Sequence, residues 1–269
     1  MSHILTVPLL ILTSFASSPP GPTLAQEDTM FTELPEILVR APRVTLDEIL
    51  GRVARGEARR ESLLTDQAFT ATFRVVGSDK RKGAQKVVRE TVTRVYKKKP
   101  DRLRTVMLRD RDERRGMKVG LEINFSPGMG EQIVNFAFRP ESRREFKYQI
   151  LDREVAGGRV IYEIGFAPRS TLDPWLPSGK VWVDTNEFVI VRQEAYFDRS
   201  PMPLFIRDME RMVIERQRVD AHWVLKRVLM RIATQFSFGQ MGSSFDMSIQ
   251  FDEYEINAGI DDAFFKEGR

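Results

Sequence analysis

The sequence predicts a mostly β fold: a curved antiparallel meander of about eleven to twelve strands, with one amphipathic helix at its amino-terminal side covering the concave face. Three observations carry this expectation. The first is a hairpin in Gly179-Lys-Val-Trp-Val-Asp-Thr-Asn-Glu-Phe-Val-Ile-Val-Arg-Gln-Glu-Ala-Tyr-Phe197, two runs of strand-forming residues around the polar turn Asp184-Thr185-Asn186-Glu187. The second is a period-2 alternation of apolar residues that begins at Ala68 and continues to the end of the chain. The third is a single capping box, Thr45-Leu-Asp-Glu48, followed by Leu46, Ile49, Leu50 and Val53 at helical spacing.

In chain order, residues 4–16 form an apolar run, followed by Ser17-Ser18-Pro19-Pro20-Gly21-Pro22 and by Thr23-Leu24-Ala25 before the polar Gln26-Glu27-Asp28. This pattern predicts a secretory signal over 1–25, cut after Ala25. The run is well short of the roughly 20 apolar residues that a membrane-spanning helix needs. The chain contains no cysteine, so disulfides, thiolate metal sites and a lipid-bearing cysteine after cleavage are excluded. The expected product is exported, soluble and unanchored, and periplasmic in a cell with two membranes. Residues 26–44 read as an extended linker or an added edge strand bounded by Pro35 and Pro42, and residues 45–269 as one domain.

The capping box predicts a helix over about 45–60, with Arg52, Arg55, Arg59 and Arg60 toward water or the carboxy-terminal end of its dipole. Strands are then expected where Phe69, Ala71, Phe73 and Val75 alternate with polar residues, at 86–96, 103–108 and 118–125, and across Val134, Phe136 and Phe138. Further strands fall at 146–152, across Tyr162, Ile164 and Phe166, in the opening hairpin, at 209–219 and 223–234, and across Phe245, Met247, Ile249 and Phe251. Short turns such as Ala156-Gly157-Gly158 and Asp220-Ala221 make this an antiparallel meander, and so many strands curl. A closed up-and-down barrel would show the same local signals.

Charge says little about nucleic acid, since 42 basic and 38 acidic residues leave a net charge of +4 spread along the chain. Lys97-Lys98-Lys99 and the run from Arg109 to Arg115 are locally dense; solvated strand ends explain them, with anionic lipid headgroups or an acidic partner as the alternative. Of two histidines, His3 leaves with the signal and His222 stands at a strand start, so triads and multi-histidine zinc sites are excluded. Gly128-Met-Gly130 lacks the lysine of a phosphate loop, and Phe188 and Ile190 occupy ligand positions that a calcium loop beginning at Asp184 would need. Asp173 beside Trp175 is the most site-like acid, yet it reads as a proline-rich loop. No metal, cofactor or catalytic residue is expected.

Eighteen phenylalanines, 11 methionines and 3 tryptophans supply large, adaptable apolar groups. In the hairpin, Val181 and Val183 lie opposite Lys180, Trp182 and Asp184, and Val189 and Val191 lie opposite Phe188, Ile190 and Arg192, so both faces are apolar. A helix or a ligand should cover the second face. Trp182, Phe188 and Ile190, flanked by Lys180 and Arg192, are expected to line a ligand cavity together with Leu46, Ile49, Leu50 and Val53.

The Gly179-Lys-Val-Trp-Val-Asp184 hairpin resembles that of the outer-membrane lipoprotein-sorting (LolA/LolB-like) superfamily. So do Phe69-Thr-Ala-Thr-Phe-Arg74 after a helix, Asp220-Ala-His-Trp-Val-Leu-Lys226, and the closing Asp252-Glu-Tyr-Glu-Ile-Asn-Ala-Gly-Ile-Asp-Asp-Ala-Phe-Phe265. The resemblance implies a half-barrel of about eleven strands with a helical lid over an apolar cavity. It implies a non-enzymatic carrier for lipid or lipoprotein acyl chains, working with a membrane-bound donor or acceptor protein. The alternative is an envelope interaction or regulatory module on the same fold.

Overall fold

The computed structural model describes residues 44–79, 84–112, 134–170, 176–199, 206–235 and 241–266. The expected signal and linker, the strand expected at 118–125, Gly128-Met-Gly130, and Asp173 with Trp175 lie outside them. Among the described residues the chain forms one α-helix, α1 (Leu46–Leu63), and ten strands. The strands are β1 (Asp66–Asp79), β2 (Gln85–Lys98), β3 (Arg102–Asp112), β4 (Phe146–Ala156), β5 (Arg159–Pro168), β6 (Ser178–Asp184), β7 (Val189–Tyr196), β8 (Ile206–Val219), β9 (His222–Thr234) and β10 (Met241–Ile256).

All ten belong to one unclosed antiparallel sheet in the order β3-β2-β1-β10-β9-β8-β7-β6-β5-β4. The meander is interrupted once: β1 to β3 run outward to one edge, and β4 to β10 return from the other edge until the last strand pairs with the first. Among the described residues the sheet does not close into a barrel, and β3 and β4 are its edges. Ten strands lie among the described residues; of those expected there, only the one across Val134, Phe136 and Phe138 does not form. They belong instead to a tight 3-10 turn, Phe136–Phe138, in which Val134, Ala137 and Phe138 are buried. Spacing over five residues fits a helical turn as well as a strand. Packing decides between them here: Phe136 meets Phe146 edge-on at 5.7 Å and Phe138 meets Phe166 at 5.8 Å, and Pro140 stops the turn.

The start of α1 follows the capping box, with the Thr45 hydroxyl accepting from the Glu48 backbone N–H at 3.2 Å. Asp47 and Glu48 in the first turn and Arg60 in the last suit the helix dipole. The helix packs against β7, β9, β4 and the 3-10 turn, burying Ile49, Leu50, Val53, Gly56, Glu57 and Arg60. The apolar stripe is as expected, as is Arg60 at the carboxy-terminal end of the dipole; at 6 % exposed, Arg60 faces the sheet and not water. It lies seven residues after Val53, hence on the same stripe.

Gly56 fixes how closely helix and sheet approach. A Cβ placed there would lie 2.5 Å from the Glu187 carbonyl oxygen, while one at Gly51 would meet nothing nearer than the Arg55 guanidinium at 3.6 Å. Replacing glycine by alanine inside a helix is ordinarily favourable by about 1 kcal/mol. Gly51→Ala should therefore stabilise by up to about 1 kcal/mol, whereas Gly56→Ala must push helix from hairpin and should destabilise by about 1–3 kcal/mol. Urea denaturation of the two variants checks the opposite signs.

Candidate functional site

The face of the sheet turned toward α1 is an apolar surface built in register. One row runs Ala195, Met212, Met230, Met247, Val75 across β7, β8, β9, β10 and β1. The next runs Gln193, Ile214, Val228, Ile249, Phe73 across the same strands. Since side chains alternate along a strand, both rows lie on one face, and their buried members except Gln193 belong to a single core cluster with Ile49, Leu50 and Val53. Three methionines stand side by side on the central strands. Unbranched thioethers reshape at low cost, so this row is the most adaptable part of the inner surface.

A buried ionic cluster ties α1 to this face. Glu57 Oε1 accepts from Arg216 Nη1 at 2.6 Å and from the Ile190 backbone N–H at 2.8 Å, and Oε2 accepts from Arg60 Nε at 3.2 Å. Arg216 Nη1 also donates to the Ile190 carbonyl at 2.9 Å, and Arg60 Nη1 to the Trp223 carbonyl at 3.4 Å. The reason lies in the ladder. β7 pairs with β8 only over Arg192–Ala195, so Ile190 has no strand partner on that side. Glu57 and Arg216 serve its N–H and C=O instead, as a buried backbone requires. Burial pushes the Glu57 carboxyl up, but Arg216, Arg60 and the Ile190 N–H outweigh it and hold the group below its ordinary value of 4.5. Burial likewise raises the Tyr148 hydroxyl to about 12, which keeps it a donor to the Ala137 carbonyl and anchors the 3-10 turn to β4.

The structure divides the residues expected to share one cavity wall. Leu46, Ile49, Leu50, Val53 and Ile190 meet in the core under α1, with Val181 and Val183 of the hairpin. Trp182 does not join them. It lies on the opposite, outer face, between Lys180 at 5.0 Å and Arg192 at 5.1 Å from its ring centre. The cause is a register shift in the hairpin: Trp182 pairs with Arg192 but Val183 pairs with Ile190, so Val191 is an extra, bulged residue and the alternation inverts there. Phe188 sits in the turn with φ of 55°, packed on the edge of the core under the Arg52 guanidinium at 5.2 Å. Left-handed backbone in a bulky residue is held by its surroundings, here the close approach of Gly56 to the Phe188 and Glu187 carbonyls.

The outer face carries a ladder of ion pairs: Lys180 to Glu163 at 2.8 Å, Arg192 to Glu194 at 2.6 Å and to Glu215 at 2.9 Å, Arg227 to Glu215 at 2.6 Å, and Arg231 to Asp246 at 2.7 Å. Each such pair contributes little, but together they account for many of the chain's charges and leave the inner face as the apolar one. Among the described residues no cluster of His, Asp or Glu could hold a metal ion.

Sequence reasoning did not single out Glu57 or Arg216. The available signal was Glu57 itself, an acid on the Leu50–Val53 stripe of the helix.

No protein-family model matches the chain, and no curated protein matches it. Solved structures do. A LolA superfamily protein from Nitrosomonas europaea is 11 % identical, with TM-score 0.34, over 82 % of this chain and 97 % of that one. A putative outer membrane lipoprotein-sorting protein domain from Vibrio parahaemolyticus is 11 % identical, with TM-score 0.35, over 80 % and 95 %. A DUF1329 family protein from Desulfovibrio piger is 12 % identical, with TM-score 0.43, over 81 % and 97 %.

Removing the Glu57 carboxylate would take from two buried guanidiniums an anionic partner that both of them bond. Glu57→Ala should therefore cost about 3–5 kcal/mol, whereas Glu48→Ala, which breaks the exposed pair with Arg52, should change stability by less than about 1 kcal/mol. Because the folded carboxyl is depressed, its contribution is complete above 4.5 and is lost as the pH falls through the lower folded value. Urea midpoints across that acid range should fall more steeply for the wild type than for Glu57→Gln.

Proposed function

We propose that this chain is an exported, non-enzymatic carrier or binding protein that shelters an acyl chain of a lipid or lipidated polypeptide on the inner face of its half-barrel. The observation that carries the reading is the Met212–Met230–Met247 row, three adjacent flexible side chains buried in the core at the middle of the apolar face of an unclosed sheet, which can reshape around an acyl chain. The resemblance of the hairpin and closing motifs to lipoprotein-sorting proteins supports the same reading. Burying a dozen methylenes contributes on the order of 10 kcal/mol. Release then needs either a membrane-bound acceptor with a competing apolar surface or displacement of α1.

A second reading, an envelope interaction module, draws on the sheet edges. Seven of the ten large apolar side chains exposed among the described residues lie on the edge strands: Leu103, Val106, Met107 and Leu108 on β3, and Ile150, Leu151 and Val155 on β4. An apolar edge can accept an added strand.

Native mass spectrometry of the full chain, recovered from the cell envelope without detergent, separates the two. The carrier reading expects masses of bound lipid that a fluorescent fatty-acyl probe displaces. A bare polypeptide that also takes up no acyl probe contradicts it and favours the module.

A further inference from the structure

Between Arg104 and Arg109 the edge strand β3 carries Val106, Met107 and Leu108 in a row, and none of the three joins the core. From Thr105 to Asp112 every side chain of β3 is exposed, those on the inner face as well as those on the outer, with Met107 61 % and Leu108 59 % exposed. The ladder accounts for the pair. Met107 pairs with Thr93 and Arg109 with Val92, so Leu108 is an extra, bulged residue beside Met107. Exposed apolar side chains gathered in one place mark an interaction surface.

The charge around this group is basic. Residues 85–112, the β2–β3 hairpin, hold ten basic and four acidic residues, a surplus of six where that of the whole chain is four. At the base of the hairpin the closing segment answers this charge, with Glu255 on Arg94 and Asp262 on Lys98 and Arg102. Beside the apolar residues the partners differ. Arg104 donates to the Phe264 carbonyl and stacks on that ring at 4.2 Å, neutral partners that leave its charge uncancelled. Arg109, 68 % exposed, lies 3.6 Å from Glu90, a carboxylate already bonded by Arg74 at 2.6 Å. Asp110, the adjacent acid, accepts from Thr91 at 3.1 Å and faces Arg89 at 3.6 Å.

A bulge and flanking charges blunt a strand edge against an added strand. The apolar group at Leu108 therefore suits a partner that imposes no backbone register, and the arginines beside it suit an anionic one. A fluid bilayer with acidic headgroups meets both conditions: apolar side chains enter its interface while guanidiniums stay at headgroup level.

We propose that the Arg104–Arg109 edge of β3 docks the protein on an anionic lipid bilayer. Val106, Met107 and Leu108 enter the interface, and Arg104 and Arg109 pair with acidic headgroups. The partner is an extended lipid surface and not a single acyl chain, so the proposal does not depend on what the inner face holds.

Co-sedimentation of the full chain with vesicles of phosphatidylcholine alone, and of equal parts phosphatidylcholine and phosphatidylglycerol, tests it in wild type, Arg109→Gln, Leu108→Ser and, on the other edge, Leu151→Ser. The expected result is binding to the mixed vesicles about tenfold or more stronger than to phosphatidylcholine, weakening as salt is raised. Arg109→Gln should lower it about fivefold and Leu108→Ser about tenfold, with Leu151→Ser unchanged. All three positions are exposed, so urea midpoints should stay at the wild-type value. No vesicle binding by the wild type overturns the proposal, as does binding that ignores phosphatidylglycerol or that Leu151→Ser weakens as much as Leu108→Ser. Self-association abolished by Leu108→Ser, without vesicle binding, overturns it in favour of pairing between copies. Uptake of a fatty-acyl probe, measured on the same samples, keeps the two readings apart: uptake without vesicle binding overturns the docking and keeps the carrier, and vesicle binding without uptake does the reverse.

Discussion

The Glu57 carboxylate joins two parts of the fold that backbone pairing leaves separate. The ladder between β7 and β8 stops at Arg192, and beyond it the two strands are held together by a helix side chain bonded to the Ile190 N–H and by Arg216 bonded to the Ile190 carbonyl. Two guanidiniums bond this one carboxylate, and all three groups are buried. Desolvating such a group is expensive, so it persists only where every partner is in place. Gly56 supplies the necessary closeness, since any side chain there would hold α1 away from the hairpin. Helix position, the bulge at Val191 and the inward turn of Ile190 therefore stand or fall together.

The consequence is a sheet with two unlike faces. On the outside, Trp182 lies between two cations within a ladder of ion pairs. On the inside, rows of aliphatic and thioether side chains continue from β7 to β1. α1 meets β7 and β9 through Gly56, Glu57 and Arg60 near the β6–β7 and β8–β9 turns, whereas the methionine row lies farther along these strands. An anchored helix at one end and an adaptable apolar surface beyond it is an arrangement suited to holding a flexible chain.

Much of the fold was legible because its signals are local. The capping box set the start of α1, and period-2 alternation located every one of the ten strands. What was not legible depends on distant residues. The strand order, with β1 beside β10, leaves no mark in either strand's pattern. Glu57 and Arg216 lie 159 positions apart, and each alone resembles an ordinary charged residue on a helix or strand. The hairpin faces were misjudged for a physical reason: one bulged residue, Val191, inverts the alternation, so Ile190 turns inward while Trp182 stays outside. The 3-10 turn at Phe136–Phe138 escaped notice because five residues of spacing do not separate a turn from a strand, and only the rings of Phe146 and Phe166 do.

The central claim is that an acyl chain occupies the inner face. The 11 methionines provide direct reporters, because their methyl groups can be labelled and observed singly by NMR. A fatty acid bearing a spin label on its chain should broaden the methyl signals of Met212, Met230 and Met247, while leaving Met107, 61 % exposed on the β3 edge, sharp. Broadening of Met107 with the inner row unaffected, or no broadening of any methionine at saturating probe, would contradict the account.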